Sequence, residues 1–212
     1  MPALIDTVEL ALDWLSAIAG LGTLAYAIYN MLRAQARPAG QQTGMAQKVL
    51  RTRYLVLATL LFLIIAYILW KPLPIQLPSL VRMVLSLLGG GFFFLSLGLY
   101  LWGLRTLGVN FNASSGFGVR LHQTHQLITS GPYALIRHPM YVGVILAMWS
   151  GLLLYRTWTM MLLAVIMLGL IYRAHKEEEA LTQAFAEQWE AYKQRVPGWI
   201  PRFDRLFRKN SV

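Results

Sequence analysis

The sequence predicts an all-α integral membrane protein of about five transmembrane helices, followed by a cytoplasmic helical region at the C-terminus. Three observations predict it. The 212 residues are 57% hydrophobic and only 13% charged, about half the charge of an ordinary soluble domain. Apolar runs of membrane-spanning length recur along the chain. The basic residues concentrate in alternate connections between those runs. The length suits a single membrane domain over residues 1–212.

The first run covers about 8–32. The second, about 53–70, reads RYLVLATLLFLIIAYILW and is apolar on every face. The third, about 79–104, carries Gly89, Gly90 and Gly91, small residues that let a neighbouring helix approach closely, within the chain or from a second copy. Residues 139–173 are too long for one span, and Tyr155-Arg156-Thr157 interrupts them. They read as a helical hairpin with arms near 139–154 and 157–173. Two polar segments remain. Residues 105–138 are rich in Gly, Ser, Asn and Thr and read as a loop. In 174–212, Leu181, Phe185, Trp189 and Tyr192 recur at helical spacing until Pro197 and Pro201 stop them. The patch RPAGQQTG at 37–44 resembles a linker, and no internal repeat is present.

Orientation follows from charge. The connection between the first two runs holds Arg33, Arg37, Lys48, Arg51 and Arg53 without an acid, and the one before the hairpin holds Arg105, Arg120 and Arg137. The other side has Lys71, Arg82 and Arg156, three of the 19 Lys+Arg. The positive-inside rule then places the N-terminus outside and both long polar segments in the cytoplasm. Asp6, Glu9 and Asp13 stand where a signal peptide would be basic, so no cleavable leader is expected. The net charge of +10 is spread through these loops rather than gathered in one patch, which speaks for topology and against a nucleic-acid partner. With no cysteine, disulfides, thiolate metal sites and a cysteine nucleophile are excluded.

Chemistry concentrates in two places. GPYALIRHPMYVG at 131–143 sets Arg137, His138 and Tyr141 around Pro139, which suits the first turn of a helix. His138 then marks a helix entry with free backbone N–H groups and a field that favours an anion. Interfacial anchoring explains a single tyrosine or arginine here; the three together point to a site. The second place is RAHKEEEAL, residues 173–181, where Arg173 and Glu177 lie one turn apart. Three adjacent glutamates oppose the positive-inside trend, although a charge run is also what a solvated helix face carries. His122 and His125 have H-x-x-H spacing but no acidic or cysteine companion, so no metal site is expected.

The pattern G-P-Y-x-x-x-R-H-P-x-Y-x-G is matched by Gly131, Pro132, Tyr133, Arg137, His138, Pro139, Tyr141 and Gly143. After the hairpin, Glu177, Glu178, Leu181, Phe185, Trp189, Tyr192, Val196 and Pro197 match E-E-x-x-L-x-x-x-F-x-x-x-[WY]-x-x-Y-x-x-x-V-P. Together they resemble the isoprenylcysteine carboxyl methyltransferase family and the related phospholipid N-methyltransferases. HQLITSGPY, from His125 through Leu127, fits the approach to the first block. The resemblance covers about the C-terminal half. Two departures are Ala186, where the family usually has glycine, and Trp189, where tyrosine is common.

The resemblance implies an S-adenosylmethionine-dependent methyltransferase whose C-terminal helical region is cofactor-binding, with a lipophilic or amphipathic acceptor entering from the bilayer. On that basis His125, Leu127, Gly131, Pro132, Tyr133, Arg137, His138, Tyr141, Glu177, Glu178 and Leu181 are expected to bind the donor. Glu177 and Glu178 suit its ammonium, Arg137 and His138 its carboxylate, and Tyr133, Tyr141 and Leu181 its adenine. Arg173 and Glu177 are the expected catalytic pair, with Arg173 either positioning an acidic acceptor group or serving as a membrane anchor paired with Glu177. A competing reading is an NADPH-dependent lipid or sterol reductase, since Trp189, Tyr192, Val196, Pro197, Ile200 and Pro201 also match that group's tail.

Overall fold

The computed structural model describes residues 2–35, 52–108 and 127–202. Among the described residues the chain is helical and forms no strand, only an isolated bridge between Pro72 and Thr157. The helices are α1 (Pro2–Gln35), α2 (Thr52–Ile68), α3 (Ser79–Leu107), α4 (Pro139–Tyr155), α5 (Trp158–Met167) and α6 (Gly169–Arg195), with a 3-10 turn at Gly131–Ala134 before α4. Among the described residues three stretches are long and apolar enough to cross a membrane: Leu4–Arg33, Ser79–Leu107 and Trp158–Arg195.

Each predicted run is a helix, and α1 and α3 extend further than the apolar letters do, whereas α2 stops at Ile68 and α5 at Met167, short of the predicted 70 and 173. Helix α1 begins before the first run, and α3 continues three residues past the predicted limit of 104. Backbone hydrogen bonding continues into polar flanks until something stops it. At the end of α3 the stop is Gly108, with φ +49° and its N–H on the Leu104 carbonyl. Helix α4 starts on Pro139 and ends at Arg156, which takes a left-handed conformation (φ +48°). Thr157 then caps α5, its side chain accepting from the Met160 N–H. Leu168 is itself helical, so α5 and α6 run on from one another.

The centre of the fold is the pairing of α3 with α4, around Phe93, Ala147 and Leu154. Glycine makes the approach close. A Cβ on Gly89 would meet the Ser150 carbonyl oxygen at 3.1 Å, and one on Gly143 would meet the Ser96 carbonyl oxygen at 3.0 Å. Gly90 faces Leu12 of α1, whereas a Cβ on Gly91 would meet nothing within 4 Å. The first two glycines of the triplet therefore pack within the chain. Outside this seam Leu60, Leu61, Phe62, Leu63 and Ile64 of α2, and Leu87, Leu88 and Phe92 of α3, are exposed. Such apolar surface is unusual in a water-soluble monomer and is what a lipid-facing shell requires.

One end of the bundle is closed by charge. Glu9, buried on α1, takes Arg156 at 3.1 Å, the Ser86 hydroxyl at 3.0 Å and Arg82 at 3.5 Å, while Asp6 pairs with Arg82 at 2.7 Å. The sequence assigned these acids and these arginines to the same side, and they meet there. Helix α4 spans about 25 Å at 1.5 Å per residue, so His138 lies at the opposite end.

Candidate functional site

The site begins where α3 meets the turn before α4. Gly131 has φ +59°, and a Cβ there would lie 2.7 Å from the Thr106 hydroxyl, so both conformation and space require glycine. The turn it permits buries Pro132 and Tyr133. Four residues separate the turn from α4, and the corner Arg137-His138 among them is held from outside. The Arg137 and His138 N–H groups donate to the Pro197 and Gly198 carbonyls at 2.9 and 3.1 Å. Thus the V-P-G stretch after α6 acts as a strap across the start of α4.

The side chains complete the clasp. Arg137 Nε donates to Glu178 Oε1 at 3.0 Å and Nη2 lies 3.0 Å from the same oxygen, while Nη1 donates to the Lys193 and Val196 carbonyls. His138 Nε2 lies 2.7 Å from Glu178 Oε1, and its ring sits between Tyr141 (centroids 5.7 Å, 10° apart in plane) and Trp199 (5.2 Å). The anion drawn to this corner is the chain's own Glu178. Burial alone would raise its pKa; the His138 hydrogen bond and the Arg137 charge outweigh that and hold the carboxyl below its usual range.

Glu177, one residue earlier, turns a different way. Tyr141 donates to its Oε2 at 2.8 Å, and Arg173 acts on the same Tyr141 hydroxyl from one turn back along α6. Farther along, Ala186 leaves helical geometry (φ +36°, ψ −109°) and kinks α6. Beyond the kink Trp189 and Tyr192 are buried, and the Tyr192 hydroxyl donates to the Tyr133 carbonyl at 2.7 Å. Burial pushes the Tyr192 phenol up to about 12 although Arg137 opposes this, and burial with the Glu177 charge pushes Tyr133 up too. Both remain protonated at neutral pH.

These elements enclose a cavity of about 60 Å³ lined by Leu107, Leu127, Ile128, Tyr133, Arg137, His138, Glu177, Leu181, Trp189 and Tyr192. At roughly 10–15 Å³ per water it holds about four to six water-sized groups. The sequence-derived residues Leu127, Tyr133, Arg137, His138, Glu177 and Leu181 converge on it. Tyr141 and Glu178 stand behind the wall, orienting Glu177, Arg137 and His138. Arg173 stands beside Tyr141, and Gly131 and Pro132 shape the turn. His122 and His125 fall outside the described residues, and among those described no cluster of His, Cys, Asp or Glu is fit to hold a metal.

Sequence reasoning missed Leu107, Ile128 and Trp199, and gave Trp189 and Tyr192 no place in the site. The signal for the last two was present in their helical register with Leu181 and Phe185. Only the kink at Ala186 turns them inward, and Ala is not a residue from which a left-handed conformation is read.

Residues 84–188 are matched by the family described as phospholipid methyltransferase, so this stretch, from α3 to past the kink in α6, is a domain of that family. Protein-S-isoprenylcysteine O-methyltransferase of Schizosaccharomyces pombe is 31% identical over 110 residues, covering 51% of this chain and 47% of the relative. The Mus musculus protein of the same name is 36% identical over 88 residues, covering 37% and 28%. Methanethiol S-methyltransferase of a Pseudomonas species (strain GM41(2012)) is 26% identical over 194 residues, 77% of this chain and 69% of the relative. The chain spans about half, or less, of the length of these isoprenylcysteine relatives. These three relatives are named as methyltransferases, and the reductase reading is not favoured.

Proposed function

We propose that the chain is a membrane methyltransferase that uses S-adenosylmethionine and methylates a lipophilic or amphipathic acceptor: a prenylcysteine-like carboxylate, or another hydrophobic acid, thiol or amine. One observation carries the reading. Two stretches some forty residues apart, Arg137-His138 and Glu177-Glu178, come together around a cavity with apolar walls.

The donor set fits the amino-acid end of such a molecule. A carboxylate, Glu177, borders a cavity of that end's size, with Leu127, Leu181 and Tyr133 as apolar neighbours. When bound, the donor supplies a methyl group activated by its sulfonium for in-line displacement. The chain supplies position and dryness. Glu177 pairs with the ammonium, and Tyr141 fixes the carboxylate's rotamer. Glu178 neutralises Arg137, hydrogen-bonds His138 and keeps the corner closed. Arg173, where α6 leaves the apolar run, orients an acidic head group of the acceptor. Alignment of this kind contributes about 7–11 kcal/mol in favourable systems, and a carboxylate acceptor needs no general base. The acceptor reaches the site laterally from the bilayer.

In this reading residues 1–212 form one membrane domain of about five spans, with N-terminus outside and site and C-terminus cytoplasmic, supported by the basic residues on the site side. The relatives' names include an isoprenylcysteine and a thiol as acceptors, which supports an oily acceptor class. The test is calorimetric titration of the detergent-purified full chain with S-adenosylhomocysteine and, separately, with NADPH. Binding of the first, abolished by Glu177→Ala, is expected; binding of NADPH alone overturns the proposal. Arg173→Ala is expected to lower turnover more than S-adenosylhomocysteine affinity, and unchanged turnover in a folded variant removes Arg173 from that role.

A further inference from the structure

Trp189 is only 2% exposed, and its indole Nε1 is buried with no hydrogen-bond acceptor among the described residues. A buried tryptophan N–H normally finds a partner. Leaving one unmet is a net cost to the fold, which a phenylalanine in the same space would avoid. The indole also lines the cavity on which Glu177 borders.

A second observation concerns Arg137, the residue that charge alone nominates to hold an anion. Its Nε and Nη2 face Glu178, its Nη1 serves the Lys193 and Val196 carbonyls, and Gly198 packs against Nη2. Its charge is neutralised by Glu178, and its Nε and Nη1 hydrogens have acceptors within the chain. The guanidinium nevertheless sits 5.9 Å from the centroid of the Trp189 ring. A cation over the indole face makes the N–H a better donor and favours an anionic acceptor beside it.

We infer that Trp189, through its indole N–H, is a ligand-binding residue that holds the carboxylate of the methyl donor's amino-acid end, opposite the Glu177 that takes its ammonium. This rests on the methyltransferase reading and adds a binding residue to it. Glu177 and Trp189 both line the cavity, and the indole carries the donor left without a partner.

The test is titration of the full chain in detergent with S-adenosylhomocysteine and with 5′-methylthioadenosine, which lacks the amino acid. Three proteins are compared: wild type, Trp189→Phe, and a form carrying β-(3-benzothienyl)alanine at 189, which keeps the ring's shape and replaces N–H by sulfur. The isosteric form is expected to bind S-adenosylhomocysteine about 10- to 100-fold more weakly. Its methylthioadenosine affinity stays at the wild-type value and its unliganded melting temperature does not fall. Trp189→Phe shows the same loss for S-adenosylhomocysteine. Unchanged S-adenosylhomocysteine affinity in the isosteric form overturns the inference and leaves the methyltransferase reading standing. Equal loss for both ligands moves the acceptor to the nucleoside and overturns the carboxylate assignment. A wild-type chain that binds neither ligand overturns the methyltransferase reading, and the inference with it.

Discussion

Removing the carboxylate of Glu178 tests the clasp most directly. Its Oε1 receives Arg137 at 3.0 Å and His138 at 2.7 Å, and the Arg137 and Glu178 side chains are only 14% and 18% exposed. At that burial solvent screens the pair weakly, so the exposed-pair discount does not apply. Glu178→Ala leaves the Arg137 guanidinium in place without its anion, and breaking a pair of this kind by removing one partner costs about 3–5 kcal/mol. Glu178→Gln keeps an oxygen acceptor but loses the charge, and the cost falls to about 1.5–3 kcal/mol. For a chain of this size each kcal/mol moves the melting temperature by about 2–4 °C, so Glu178→Ala is expected to melt about 6–20 °C lower. The assay is a thermal unfolding scan in a fixed detergent, at a fixed scan rate, for wild type and both variants. The strap should loosen with the corner, so limited proteolysis after Arg195 is expected to accelerate in parallel. A Glu178→Ala protein that melts within about 2 °C of wild type refutes the reasoning.

Three further predictions follow from the same geometry. Glu178 titrates lower folded than unfolded, so its stabilisation is complete above the unfolded value of about 4.3 and is lost as pH falls through the folded pKa. Melting scans between pH 7 and pH 3 should therefore show wild type losing its advantage over Glu178→Gln below about pH 4.3, and a constant gap removes Glu178 from the linkage. Ala186→Gly relieves a left-handed conformation that costs about 1–3 kcal/mol, less about 0.4–1 kcal/mol of added unfolded-chain entropy. A rise in melting temperature is expected, and a fall contradicts the strain. Gly89→Ala forces a Cβ against Ser150, Leu153 and Leu154 and should cost about 1–3 kcal/mol, whereas Gly91→Ala, facing open space, should be close to neutral. Equal effects of the two on melting would contradict the α3–α4 seam.

The sequence by itself determined the helical, lipid-facing character, where α3 and α4 begin and where α4 ends, because these depend on local quantities: apolar run length, Pro139 at a helix start and the break at Tyr155-Arg156-Thr157. It also identified which acids share a side with Arg82 and Arg156, since alternating topology follows from charge along one dimension. What it did not determine is which polar groups neutralise each other. Glu177 and Glu178 are adjacent letters of like charge, yet on a helix they point about 100° apart. One reaches the cavity and the other is taken by Arg137 and His138. The strap over α4 and the inward turn of Trp189 are tertiary decisions of the same sort. The first is made by backbone carbonyls of Pro197 and Gly198, which no side-chain pattern encodes. The second follows from a left-handed alanine, a conformation held by surrounding packing against the residue's own preference.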